Sequence, residues 1–418
     1  MKKIIIKGGR RLEGSVTISG SKNASLPILA ACILNKNRIK LYNVPEISDV
    51  NVTLEILKRL GAKITKDKKK VIIECKNIIS SKIPDDLMRR LRSSVIIAGA
   101  LIGRTGKASF TFPGGCDIGA RPIDLHLSSF KKIGIKLNEN SRYIECKCDK
   151  IVSNKITLDF PSVGATENII LASVLGKHEV IINNAAIEPE IDDLVSFLNK
   201  MGANIRMVMP GCIKIIGVES LKETTYRIMP DRIEAGTYLV AACMTNGFIC
   251  LNNVDVSHIG SVIDKLEEMG YKLFKEKNKI CIDAKIRPKS INIITHPYPG
   301  FPTDMQPIIT VLTMIAKGSS IITENIFENR FKYVNELKRM GAKADIKSNS
   351  VIVKGIRKFH SNQVTSTDLR GGMAMVLAGL NARGKTKINN ADYILRGYEK
   401  LDIKLKALGA NIEIKEGE

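Results

Sequence analysis

Tryptophan is absent from this chain of 418 residues, and aromatic residues of all kinds make up only 5% of it. Surfaces that hold single-stranded nucleic acid stack bases on aromatic rings, so this deficit argues against such a role. Histidine is also sparse: His126, His178, His258, His296 and His360 stand singly, and the only close cysteine pair is Cys146-x-Cys148. Neither spacing makes a zinc site, and nine cysteines, an odd number, suggest no disulfide framework. No metal is expected. Apolar runs of spanning length are missing, and the opening MKKIIIKGG offers three consecutive isoleucines where a secretory core needs a longer stretch. A cytoplasmic protein with no membrane insertion is the expectation.

Apolar residues, at 44%, are ample for a core, and the length suits two or three domains, of which two is our reading. Lysine and arginine number 65 against 42 aspartates and glutamates, a net charge of +23. That surplus fits nucleic acid, an anionic membrane or an anionic small molecule. Lysine-rich stretches such as residues 66–70 have no interleaved aromatics, which favours small anionic substrates. A basic nucleic-acid-binding repeat protein stands as the alternative of another class.

Internal repetition is the strongest signal. LKRLGAKI, FKKIGIKL, LNKMGANI, LEEMGYKL, LKRMGAKA and LKALGANI place glycines at 61, 134, 202, 270, 341 and 409. Each closes an amphipathic pattern and precedes a β-rich run, so a helix, a left-handed glycine cap and a strand are predicted six times over. A second series keeps step with the first: small, apolar, Ala-rich helices that begin near Lys22, Arg92, Gly164, Arg232, Asp304 and Arg370. Apolar on all sides, they should be buried on all sides. The implied unit is a βαβαββ module of about 70 residues, and six modules make two three-module domains. The expected boundaries are 21–229 for one domain and 1–20 plus 230–418 for the other, with the N-terminal segment completing the last module.

A buried helix opens only at its start, where its N–H groups and dipole favour anions. The starts here carry Lys22-Asn23, Arg92, Ser162-Val163-Gly164, Asp231-Arg232, Asp304 and Asp368-Leu369-Arg370. A cation at a helix N-terminus is unfavourable unless an anion is near, so one cleft between the domains is expected to bind multiply charged anions. Glu188, Arg330 and Arg396 precede amphipathic helices, and PGGCDIGARP, residues 113–122, puts Cys116 in a glycine-rich loop close to Arg121. A loop thiol beside cations can act as acid or nucleophile. Cys32 and Cys243, inside apolar helices, read as inert packing.

SGSKNASLPILAA, PGGCDIGARPIDLH, SVGATENI, EPEIDD, PDRIEAGTYLVAA, FPTDMQ, ENRFKYVNEL, TDLRGG and RGYEKL run nearly end to end along the chain. Together they resemble the UDP-N-acetylglucosamine enolpyruvyl transferases (1-carboxyvinyltransferases) of peptidoglycan synthesis, within the EPSP synthase superfamily. That resemblance implies an α/β fold of two inside-out α/β domains, each of three βαβαββ repeats around buried helices. It also implies transfer of the enolpyruvyl group of phosphoenolpyruvate to the 3′-hydroxyl of UDP-N-acetylglucosamine, with phosphate released. 5-Enolpyruvylshikimate 3-phosphate synthase is the alternative, disfavoured by the PGGCDIGARP loop.

Carried over by motif, Lys22, Arg121 and Arg396 resemble ligands of the phosphate of phosphoenolpyruvate, and Arg330 and Arg370 partners of its carboxylate. Arg92 and Asn23 fall beside both substrates. Asn23, Asp304 and the backbone of Ile326 resemble contacts to the amino sugar. Arg121, Pro122, Asp124 and Leu125 resemble the uracil site, and Ser162, Val163 and Gly164 offer N–H groups to the diphosphate. Phe160 stands where some members carry lysine, which removes one cation from the diphosphate. The chemistry needs an acid to protonate C3 and a base for the hydroxyl, roles the resemblance gives to Cys116 and Asp304, with Lys22 in the catalytic set. Cys116 is also implied as the site of a phosphoenolpyruvate adduct and of attack by fosfomycin. No cofactor is implied.

Overall fold

The computed structural model describes residues 1–112, 123–140 and 142–416, with Arg92 described in its backbone only. The third module shows the repeat whole. Strand Asn154–Thr157 leads into the helix Val163–Ser173, strand Glu179–Asn183 pairs parallel with the first, helix Pro189–Lys200 follows, and the hairpin Asn204–Met209 and Cys212–Ile216 finishes the sheet. Among the described residues there are six such sheets, five of four strands and one of three. In the three-stranded sheet an isolated parallel bridge between Lys82 and Ser109 marks where the leading strand would lie.

Two kinds of helix alternate, as the patterning predicts. Every residue of Arg232–Met244, Gln306–Thr313 and Leu369–Asn381 is buried, whereas Lys332–Arg339 buries only Tyr333, Val334 and Leu337. Each amphipathic helix ends at a glycine with positive φ: +110° at Gly61, +87° at Gly134, +97° at Gly202, +98° at Gly270, +94° at Gly341 and +96° at Gly409. The left-handed cap turns the chain back into a strand without a Cβ clash. Two buried helices start later than expected. The stretches Arg92–Val95 and Thr303–Met305 are 3-10 turns that run into Ile96–Thr105 and Gln306–Thr313.

The N-terminal segment departs from expectation because it serves two modules. Strand Lys2–Lys7 lies between Lys385–Asn389 and Asn411–Glu416, antiparallel to both, and so completes the sixth module. Strand Glu13–Thr17, although it leads directly toward the helix Lys22–Ala31, pairs instead with Phe248–Asn252 of the fourth module. In return Thr224–Arg227, which precedes Arg232–Met244, pairs with Arg38–Tyr42 of the first. The first and fourth modules have exchanged leading strands.

The chain therefore divides into two compact units, residues 1–19 with 230–416, and residues 20–229 as far as described, and it passes between them twice. The two connecting segments hold each other: Ser21 N–H donates to Met229 O at 2.8 Å and Asp231 N–H to Ser19 O at 2.9 Å. Beside them Ser19 N–H and the Lys404 ammonium donate to Glu234 at 2.7 and 2.6 Å, and the Ser19 hydroxyl donates to Glu399. This closed network satisfies buried polar groups that would otherwise be costly. Burial raises the carboxyl pKa of Glu234, and Lys404 works against that rise.

One cysteine reading needs correction. Cys250 and Cys281 form a disulfide across adjacent antiparallel strands, where they are direct register partners. At a sequence separation of 31, their pairing is set by sheet register and could not be read from spacing. Cys32 and Cys243 are packed as expected, and burial pushes both thiols up. Among the described residues no helix is long and apolar enough to cross a membrane.

Helices Ile96–Thr105 and Val163–Ser173 approach closely because Gly99 faces Asn168. A Cβ at Gly99 would lie 2.5 Å from Asn168 Oδ1 and 2.6 Å from its carbonyl oxygen. Gly99→Ala should therefore destabilise the protein by about 1–3 kcal/mol, the usual cost of overpacking, visible as a lower urea midpoint with unchanged slope.

Candidate active site

Asp304 stands at a helix entrance and holds two arginines. One carboxylate oxygen is 3.1 Å from Arg330 Nη2 and the other 2.9 Å from Arg370 Nη2, while the guanidinium side chains are only 3% and 4% exposed. The three come from different places: the 3-10 turn Thr303–Met305, the segment just ahead of Lys332–Arg339, and the second residue of Leu369–Asn381. Asp368 caps the last helix, accepting from the backbone N–H groups of Arg370 and Gly371 at 3.0 Å each. Phe327 and Tyr398 lay their rings 5.4 Å from the Arg330 and Arg370 guanidinium carbons respectively.

Burial alone would lower the Arg370 pKa, but Asp304, then Tyr398 and Asp231, outweigh it and hold the guanidinium above its ordinary value. Among the described residues, Arg330 Nε and Arg370 Nη1 are nevertheless buried with no hydrogen-bond partner. Unmet donors on two neighbouring cations fit a further anion. A carboxylate is the matching shape, since Asp304 already shows how one bridges the pair.

Ile326 and Phe327 donate their backbone N–H groups to Glu324 Oε1 at 2.8 and 3.2 Å, and Thr295 and Thr303 donate their hydroxyls to the same side chain at 2.9 Å each. The backbone group left at Ile326 for a ligand is thus its carbonyl. Arg396, half-buried, ends the short helix Asp392–Leu395.

In the other unit Lys22 and Asn23 open the helix Lys22–Ala31, capped by Ser21. The Lys22 ammonium lies 3.2 Å from Asp49, a partner that sequence reading missed because it belongs to the following helix. Ser162 caps Val163–Ser173, accepting from Ala165 N–H at 3.3 Å. His126, from the helix Asp124–Lys132 that also carries Leu125, sits over this entrance. A Cβ at Gly164 would be 2.9 Å from its Cε1 and 3.2 Å from its Nε2.

Asn168 sets that ring. Its Oδ1 accepts from Gly99 N–H at 2.9 Å, so its amide nitrogen faces His126 Nδ1 at 2.7 Å. Nδ1 must then accept, which puts the imidazole proton on Nε2, the side toward Gly164. Sequence reading leaves His126 an isolated histidine, and only the fold brings it to the SVGAT motif. A second omission is Glu167, wholly buried in the same helix. Burial, then Glu190 and Glu188, push its carboxyl pKa well above the ordinary value of 4.5.

Asp304, Arg330 and Arg370 are thus brought into contact, and His126, from the helix that carries Asp124 and Leu125, meets Gly164 at the helix start that Ser162 caps and Val163 opens. Cys116, Arg121 and Pro122 lie outside the described residues, as does the side chain of Arg92.

The sequence pattern of the EPSP synthase (3-phosphoshikimate 1-carboxyvinyltransferase) family matches residues 6–416. The chain belongs to this family. Within reach of it by sequence is a protein of Caldanaerobacter subterraneus subsp. tengcongensis named UDP-N-acetylglucosamine 1-carboxyvinyltransferase 2, 48% identical over 413 residues and covering 99% of each chain. A UDP-N-acetylglucosamine 1-carboxyvinyltransferase of Thermotoga petrophila is 45% identical over 420 residues, 100% of each. Among solved structures, the enolpyruvyl transferase NikO from Streptomyces tendae matches with a TM-score of 0.90 at 23% identity, over 99% of this chain and 98% of that one. EPSP synthase from Acinetobacter baumannii matches at 0.77 and 17% identity over the whole of both chains. At such identities the structures speak for the fold, which is thereby the α/β fold of the EPSP synthase family.

Two measurements probe these residues. Asp304→Ala leaves two buried guanidinium groups without their shared carboxylate, and stability should fall by about 2–3 kcal/mol, less than for a fully buried pair because Asp304 is 27% exposed. Added malonate or phosphate should restore part of that loss in a thermal melt.

The second concerns Glu167, whose raised native pKa means the folded state holds a proton that the unfolded state releases near pH 4.5. Stability is therefore lost as pH rises from about that value toward the native pKa. Glu167→Gln should flatten this decline, giving a variant whose advantage over the parent grows as pH rises above about 4.5 in urea titrations.

Proposed function

We propose that this chain transfers the enolpyruvyl group of phosphoenolpyruvate to the 3′-hydroxyl of UDP-N-acetylglucosamine and releases phosphate, the first committed step of peptidoglycan synthesis. The observation that carries this reading is the Asp304 carboxylate held between two buried arginines that retain unmet donors. Full-length relatives named UDP-N-acetylglucosamine 1-carboxyvinyltransferase support the choice of acceptor. The cytoplasm, which holds both phosphorylated substrates, is the proposed compartment.

The substrate carboxylate exchanges with Asp304. Arg330 and Arg370 turn their spare N–H groups to phosphoenolpyruvate, and this loosens Asp304, whose oxygens were tied to the same cations. Released, Asp304 takes the proton from the sugar hydroxyl while Cys116 delivers one to C3, and the sugar oxygen bonds to C2. The tetrahedral adduct then returns a proton from C3 to the Cys116 thiolate as its bond to the phosphate oxygen breaks, which restores the double bond, and the departing phosphate takes up the proton held by Asp304. Lys22, Arg121 and Arg396 steady the phosphate as it leaves, and Arg92 and Asn23 help to position the two substrates.

The nucleotide end is assigned to the other helix entrance. Ser162, Val163 and Gly164 present N–H groups to the diphosphate, joined by Nε2–H of His126, which answers part of the cation lost at Phe160. Asp124, Leu125, Pro122 and Arg121 take the uracil, and Ile326 the amino sugar.

Phosphate release on mixing the protein with phosphoenolpyruvate and UDP-N-acetylglucosamine tests the assignment directly, with shikimate 3-phosphate as the control acceptor. Turnover with shikimate 3-phosphate alone would overturn it. Cys116→Ala should lose at least a hundredfold in kcat at neutral pH and resist fosfomycin labelling, and a fully active variant would remove Cys116 as the acid. Asp304→Asn should lower kcat by a similar factor.

A further inference from the structure

The helices Arg232–Met244, Gln306–Thr313 and Leu369–Asn381 carry Arg232, Asp304 and Arg370 at or just ahead of their N-terminal ends. At their other ends a cavity of about 740 Å3 opens, a volume typical of small-molecule sites. Equivalent places in three modules build it. Just beyond the helices lie Asn246, Lys317 and Arg383, all in its wall, each followed by a glycine. The glycine carbonyls accept matching hydrogen bonds from Ala284 at 2.9 Å, Gly355 at 2.9 Å and Gly8 at 3.2 Å. The loops fixed by the first two of these bonds add Arg287 and, from the next module, Arg357 and Lys358. Among the described residues, no acidic side chain lines the cavity.

Charge accounting separates a structural role from a binding one. Three helix C-termini bring about half a negative charge each, roughly 1.5 in all. Arg287 answers much of this, donating to the carbonyls of Ile315, Ala316 and Ile356 at 3.1, 3.0 and 3.2 Å. Lys285 stands 3.9 Å from Asp283. Among the described residues, Lys317, Arg357, Lys358 and Arg383 have no carboxylate partner within 4.0 Å. A surplus of roughly three positive charges therefore converges on a concave wall that also exposes Ile286, 41% accessible.

We propose that this cavity binds a multiply phosphorylated small molecule, its phosphates held by Lys317, Arg357, Lys358 and Arg383 and its organic part resting on Ile286. A concave, aromatic-poor surface suits a small molecule better than a nucleic-acid strand. The site is distinct from the transferase residues: a helix of 13 residues puts roughly 20 Å between its two ends.

The experiment is calorimetric titration of the full chain, saturated with UDP-N-acetylglucosamine, with ATP and separately with inorganic tripolyphosphate. One-site binding is expected, weakened at least tenfold in the double variant K317Q/R383Q, whose phosphate-release kinetics and thermal melt should match the parent. Tighter binding of ATP than of tripolyphosphate is expected from the contact with Ile286, and equal binding would overturn that part of the proposal. Absence of binding, equal binding by the double variant, or displacement of both probes by a duplex oligonucleotide at one-to-one stoichiometry would overturn it.

Discussion

A helix packed on every side has only its ends to offer. That constraint governs the rest of this molecule, because the six apolar helices at its core can reach solvent and ligand nowhere else. At their starts, backbone donors and dipoles draw in negative charge, and the side chains there work with it: Ser162, Asp231 and Asp368 cap. Lys22, Arg232 and Arg370 stand where a cation is tolerable only with an anion beside it. Asp49 and Asp304 supply that anion to Lys22 and Arg370. On the proposed function, Asp49 and Asp304 are thus internal stand-ins for the substrate, ready to be exchanged.

Such exchange has a cost that the fold absorbs. Guanidinium groups only 3–4% exposed would be poorly tolerated without a carboxylate, and Asp304 supplies it; on the proposed function, binding replaces one pair by another instead of creating one from solvated ions. On the proposed function Asp304 has two successive duties, as counter-ion and as proton acceptor, and the arginines decide which it performs. His126 is prepared in a similar way: Asn168 fixes its tautomer before any ligand arrives, and Gly99 leaves the space in which Asn168 can do so.

The exchange of leading strands between the first and fourth modules joins the two units by paired connections at residues 19–20 and 229–230. A single link would let each unit be a separate bead on a string. Two hydrogen-bonded links, anchored by Glu234, Lys404 and Ser19, make each unit's sheet depend on a strand that the other's sequence leads into. The basic net charge finds different uses at the two ends of the buried helices. Lys22 and Arg370 at the starts have acidic partners, whereas among the described residues Lys317, Arg357, Lys358 and Arg383 at the C-terminal ends have none.

Periodicity along the chain was sufficient to determine the module, its number of copies, the six left-handed glycine caps and the class of each helix, because burial on one side or all sides writes itself into the spacing of apolar residues. The charged helix entrances were legible for the same reason, since a polar residue heading an all-round apolar helix can sit nowhere but at its open end. Contacts between distant segments were not. The Cys250–Cys281 bond, the strand exchange, Asp49 beside Lys22 and His126 over Gly164 all depend on which strands pair and which helices pack side by side. Those choices belong to the tertiary structure, where hydrogen-bond register and close packing act across separations that no local pattern records.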